Sequence, residues 1–177
     1  SKELVKGKKQ SENFANNIFN LLTIFLLGLV LIIELFMPFF VSLIAPGFKS
    51  NPEKFILATQ LTKITFPFIL FVSLASFFSA ILNSHNRFAA ASAAPIILNI
   101  VMIGILIFGK VLGEKLVIFL SYGVSIAGFI QAIFLILFVK KFFKPRFKIK
   151  FKISKEIKLF FKKLLPSIFA SGVTQIN

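Results

Sequence analysis

QLTKITFPFILFVSLASFFSAILNSHNRFAAASAAPIILNI, from Gln60 to Ile100, is the stretch that decides the fold. Two long apolar runs are joined by one short polar hinge, Asn83-Ser84-His85-Asn86-Arg87. The first run carries Lys63 and Pro67 near its start, then Ser73, Ser76 and Ser79 at a spacing that puts the three serines on one helical face. The second carries Pro95, with Asn99 one turn later. A water-soluble core has no use for two such runs back to back with a single basic turn between them. The stretch reads as a membrane hairpin whose polar atoms point at other helices or at a cavity.

The rest of the chain agrees. Of its 177 residues 57% are hydrophobic and only 15% charged, with a mean hydropathy of +0.92. Soluble domains carry about a quarter charged residues, so the composition argues against a soluble globular class. The absence of Cys rules out a disulfide framework and thiol chemistry. A net charge of +15 invites a nucleic-acid partner, but its distribution argues against one. Most of the Lys and Arg lie in Lys2–Lys9, at Arg87 and in Lys140–Lys163, and each place borders an apolar run. That is the layout of cytoplasmic loops under the positive-inside rule, and it assigns residues 1–13, 83–88 and 140–163 to the cytoplasm. The charge reports topology.

About 20 helical residues cross the hydrocarbon core of a bilayer. Four apolar stretches meet that length: about 17–44, 55–82, 89–108 and 117–139. The first has length to spare, for a tilt or a bend at Pro38, and closes at the turn signal Ala45-Pro46-Gly47-Phe48. Exterior loops follow at Lys49–Lys54 and Gly109–Lys115. The second span starts somewhere between Phe55 and Ile64. The third opens with a run of small residues from Ala89 to Ala94, and the fourth has a small, polar stripe of Ser121, Ser125, Gly128 and Gln131. Small residues let helix backbones approach closely in lipid. Residues 140–163 read as a basic connector that becomes an amphipathic helix from Ser154, with Phe and Leu against the membrane and Lys facing anionic lipid headgroups. Residues 164–177 read as the start of a further span.

No metal constellation, nucleophile–base set or phosphate-binding glycine loop is visible, so no cofactor and no catalytic residue are assigned, and an enzyme is not expected. Two charges lie inside apolar runs, Glu34 and Lys63. An unpaired charge at a helix centre costs about 2.5–3.5 kcal/mol on insertion scales, so it faces a partner or water. Either Glu34 and Lys63 form an intramembrane pair, or Lys63 faces a hydrated cavity, or the second helix starts late and Lys63 snorkels to the interface. Ser73, Ser76, Ser79, Asn99 and Gln131 are candidates to line a substrate path, with plain helix–helix hydrogen bonding as the alternative. Asn83, Asn86 and Arg87 form the cytoplasmic hinge. Pro67 and Pro95 shape the helices.

Lys63-Ile64-Thr65-Phe66-Pro67-Phe68, Ile81-Leu82-Asn83 followed by Asn86-Arg87-Phe88, and Ala94-Pro95 with Leu98-Asn99-Ile100 resemble the flippases of the MurJ/MviN family. Ala45-Pro46-Gly47-Phe48 and Leu165-Pro166 leading into Gly172-Val173 extend the resemblance over most of the chain. It implies an all-α, polytopic bundle belonging to a larger two-lobed transporter, to which this chain supplies the third to sixth helices and the start of the seventh. It also implies a substrate, lipid II or a similar polyprenyl-pyrophosphate-linked saccharide, crossing the bacterial inner membrane by alternating access. Lys63, Pro67, Asn83, Asn86, Arg87, Pro95 and Asn99 are the residues that match the family's motifs, whereas Glu34 is not a family feature. The rival readings are an exporter of another polyprenyl-linked oligosaccharide or of a drug, and a non-transporting membrane scaffold subunit. Starting at Ser1 and stopping at Asn177 in a helix barely begun, the chain reads as a piece of a longer protein.

Overall fold

The computed structural model describes residues 7–147 together with Lys158, Leu159 and Lys162. In chain order the helices are α1 (Lys8–Leu35), α2 (Met37–Ile44), α3 (Pro52–Thr65), α4 (Phe68–Ser84), α5 (Phe88–Ile107), the short α6 (Gly109–Leu112) and α7 (Leu116–Val139). Single 3₁₀ turns stand at Pro46–Ser50 and Gly113–Lys115. Among the described residues four stretches are long and apolar enough to cross a membrane: Gln10–Leu35, Pro52–Ser84, Phe88–Ile107 and Leu116–Val139. The all-α, four-span reading therefore stands, with changes at its edges.

The first of these changes is at the start. The helix begins at Lys8 rather than near Asn17, and it breaks at Phe36, two residues ahead of Pro38. Proline has no N–H to give, so it fits best in the first turn of a helix, and the chain restarts there as α2. The second change concerns the exterior loop at Lys49–Lys54, which is largely helical. The Asn51 side chain accepts a hydrogen bond from the Lys54 N–H at 3.1 Å and Pro52 occupies the first turn, so α3 starts at Pro52. The third change divides the second span: α3 ends at Thr65 and α4 begins at Phe68, because Pro67 interrupts the backbone ladder. Pro95, by contrast, sits inside a continuous α5.

The chain divides into two compact units, residues 22–144 and residues 1–21 with 145–177. In the larger unit α7 is the hub, packing against α3, α4 and α5. Of the most apolar window of α7 39% is buried, against 6% of that of α5. Its inward face is Ser121, Ala127, Gly128, Gln131, Ala132, Leu135 and Val139, mostly small residues at helical spacing. Gly128 is where α4 comes closest: a Cβ there would collide with the Phe68 ring and lie 3.2 Å from Cβ of Phe71. Gly123 does the same toward Ile105 of α5. Phe78, Leu82, Leu135 and Val139 fill the space these close approaches create.

The outer faces are greasy. Leu31, Ile32, Leu43, Ile100, Ile103 and Ile107 are all exposed, an amount of apolar surface suited to lipid or to further helices rather than to water. In the smaller unit, the Asn16 side chain donates to the Glu12 carbonyl at 3.0 Å and accepts from the Arg146 N–H at 2.8 Å. This pins the chain that follows the fourth span. The amphipathic connector and the next span lie outside the described residues, apart from the helical and exposed Lys158, Leu159 and Lys162.

Candidate functional site

Lys63 lies in the last turn of α3, well inside the apolar stretch Pro52–Ser84, and its side chain is exposed. The early start of α3 removes the arrangement in which a late helix leaves Lys63 at its end. Glu34 is half-buried near the end of α1, and its Oε1 is buried without a hydrogen-bond partner. Lys63 is the charge that acts on Glu34 electrostatically, yet no ion pair joins them. A carboxylate oxygen without a donor is an unfavourable ground state.

The other path candidates are not gathered at one place. Ser76 is exposed on α4 and its hydroxyl donates to the Val72 carbonyl at 2.8 Å, while Ser73 and Ser79 are half-buried. Asn99 is exposed on α5. Gln131 is only 5% exposed, within the packing stripe of α7. So Gln131 faces neighbouring helices, and Ser76 and Asn99 face outward.

Ser125 makes a long-range bond that the sequence only hinted at, through the small-residue stripe. Its hydroxyl donates to the backbone carbonyl of Ile64, in the last turn of α3. In a continuous helix that carbonyl would accept from the Phe68 N–H, a bond not made where the helix breaks at Phe66–Pro67; the N–H that Pro67 itself lacks would have served the Lys63 carbonyl. A serine on α7 thus takes up what the K-I-T-F-P sequence leaves open.

The hinge is a Schellman turn. Asn86 has φ +58°, the Arg87 N–H donates to the Leu82 carbonyl at 2.9 Å, and the Asn86 N–H donates to the Asn83 carbonyl at 3.1 Å. Asparagine is among the few residues that enter this left-handed region readily. His85 Nδ1 sits 2.9 Å from the Ile81 carbonyl, which can only accept, so that nitrogen carries the proton. The imidazole packs on Phe142 with ring centroids 4.6 Å apart, and the Arg87 guanidinium lies 5.8 Å from the centre of the same ring. The turn after α4 is thereby held to the turn after α7. No apolar periodicity marks Phe142 out from the chain's other phenylalanines. Among the described residues no group of three or more His, Asp or Glu stands close enough to hold a metal ion.

These features define a multi-pass helical membrane protein with polar residues distributed through its spans and a hinge that closes on Arg87. A family profile described as "Lipid II flippase MurJ" matches residues 2–177. Among curated relatives, the "Probable lipid II flippase MurJ" of Rickettsia prowazekii is 36% identical over 178 residues, covering 100% of this chain and 35% of that protein. Proteins of the same description from Buchnera aphidicola and Rhizobium meliloti are each 34% identical, over 97% of this chain and 34% and 33% of their own lengths. The chain belongs to the MurJ family, a family of inner-membrane proteins. It spans about a third of the length of these relatives.

Proposed function

We propose that the protein moves lipid II, the lipid-linked peptidoglycan precursor, across the bacterial inner membrane by alternating access. The observation that carries this is family membership along nearly the whole chain, with relatives named as probable lipid II flippases. The chemistry of the cargo fits the architecture. A pyrophosphate-linked head needs positive charge in a wet cleft, while the lipid tails stay in the bilayer. In this reading the four spans belong to one lobe, and Lys63 faces the hydrated path from within an apolar stretch. Ser76 and Asn99 add polar groups on outward faces, residues 83–88 lie in the cytoplasm, and residues 140–163 connect the lobes along an anionic lipid surface. Transport of this kind forms and breaks no covalent bond, so no catalytic group is required.

The test is depletion of the resident flippase in a bacterium and complementation with the intact gene. Restored growth and precursor translocation, both lost at equal expression on Lys63→Gln, support the reading. Failure to rescue despite full membrane insertion overturns it.

A further inference from the structure

At the end of the larger unit where the hinge lies, α4, α5 and the end of α7 enclose an open-sided cavity of about 450 Å³. Its apolar wall includes Leu82, Ala90, Leu137 and Phe138, and two cations line it, Arg87 and Lys141. Arg87 immediately precedes α5 and Lys141 lies just beyond the end of α7. Both cations therefore stand where apolar helices end, the level at which lipid headgroups meet a bilayer protein. Neither has an ion-pair partner among the described residues, and residues 83–88 and 140–147 contain no acid.

Arg87 is also held in place. The Schellman turn fixes its backbone, and Phe142 lies beneath its guanidinium. A cation–π contact occupies no N–H donor, so the guanidinium keeps its fork for an anion with paired oxygens. Lys141 adds a second positive charge to the lining of the same cavity. An apolar slot beside two positive charges is complementary to a hydrocarbon chain carrying a negatively charged head. We propose that this cleft binds an anionic glycerophospholipid of the phosphatidylglycerol type. Its phosphate sits between Arg87 and Lys141, and one acyl chain runs along Leu137 and Phe138. The bound lipid ties the hinge to the end of α7. This site is separate from the transport reading and is tested without it.

The experiment counts lipids retained by the intact gene product in mild detergent, by native mass spectrometry. Phosphatidylglycerol is compared with phosphatidylcholine of the same acyl chains. The wild-type protein is expected to retain one phosphatidylglycerol in preference to phosphatidylcholine. Two charges near a headgroup correspond to roughly tenfold or more in affinity, which Arg87→Gln with Lys141→Gln should remove. Lys140→Gln with Lys144→Gln takes away the same charge beside the cleft and should leave retention intact. Ala90→Trp keeps every charge but fills the slot, and should also abolish retention, so the test does not depend on the double variant folding. Equal loss from both charge pairs, or full retention by Ala90→Trp, would show diffuse surface attraction and overturn the site. So would displacement of phosphatidylglycerol by a stoichiometric polyprenyl diphosphate, which would assign the cleft to a different lipid.

Discussion

Ser125 on α7 donates a hydrogen bond to the carbonyl of Ile64 on α3, across 61 positions of sequence. It joins the hub helix to the point where Pro67 interrupts the second span. In lipid there is no water to satisfy such a carbonyl, so the partner has to come from a neighbouring helix. Interhelical bonds of this kind measure about 0.6 kcal/mol on average and up to about 1.7. Ser125→Ala is therefore expected to cost about 1 kcal/mol, read as a lowered unfolding midpoint of the intact protein in detergent. Unchanged stability would mean that another donor reaches the Ile64 carbonyl.

Gly128 gives the second prediction. A methyl group there meets the Phe68 ring and the Phe71 Cβ, and overpacking of a close contact costs about 1–3 kcal/mol. Gly128→Leu should lower the unfolding midpoint by more than Ser125→Ala does. By contrast Gly104→Leu, where an added Cβ meets open space, should leave the midpoint nearly unchanged. Equal effects at the two glycines would contradict α7 as the hub.

The hinge makes a third. Asn86 stands at φ +58°, where a β-branched side chain is strained by roughly 1–2 kcal/mol. Asn86→Val should destabilise by that amount, while Asn86→Gly should be neutral. If valine is tolerated as well as glycine, the Schellman turn is not the hinge's resting conformation.

The relation between Glu34 and Lys63 is a matter for a double-mutant cycle. Glu34→Gln should be neutral or stabilising, because it turns a carboxylate with a buried, unpartnered oxygen into a neutral amide. Lys63→Gln should destabilise the protein only while Glu34 is present. A coupling of about 0.5 kcal/mol or more is expected for residues that sense one another. Strictly additive costs would sink the electrostatic link.

Accessibility separates the path candidates. This chain has no cysteine, so single cysteines report cleanly wherever the remainder of the protein is cysteine-free. Gln131→Cys should resist a water-soluble maleimide, because that side chain is packed into α7's inner face. Ser76→Cys and Asn99→Cys should react if they border the hydrated path. Protection of all three would favour a purely structural role for these polar groups.

How much of this was legible beforehand follows from the range of the forces involved. Hydropathy acts over each helix by itself, so length and apolar content were enough to place four spans. The proline effects are equally local: the breaks at Phe36 and ahead of Phe68 follow from an N–H that proline does not have. Asn51-Pro52 is likewise a local start signal, and a closer reading of it would have placed α3 correctly. The K-I-T-F-P, Leu-Asn and Asn-Arg-Phe elements carried the family resemblance for the same reason, since they lie along the chain.

What the sequence by itself determined is an all-helical membrane protein of this family, with its hinge and its charged ends. Only the tertiary structure decided that α7 is the central helix, that Ser125 caps a carbonyl on α3, and that Phe142 sits beneath both His85 and Arg87. It also separated Gln131, turned inward, from Ser76 and Asn99, turned outward. The physical reason is that helices in lipid meet through short-range packing and hydrogen bonds. Those contacts depend on the rotation and depth of each helix relative to its neighbours, quantities that no single helix carries in its own residue pattern.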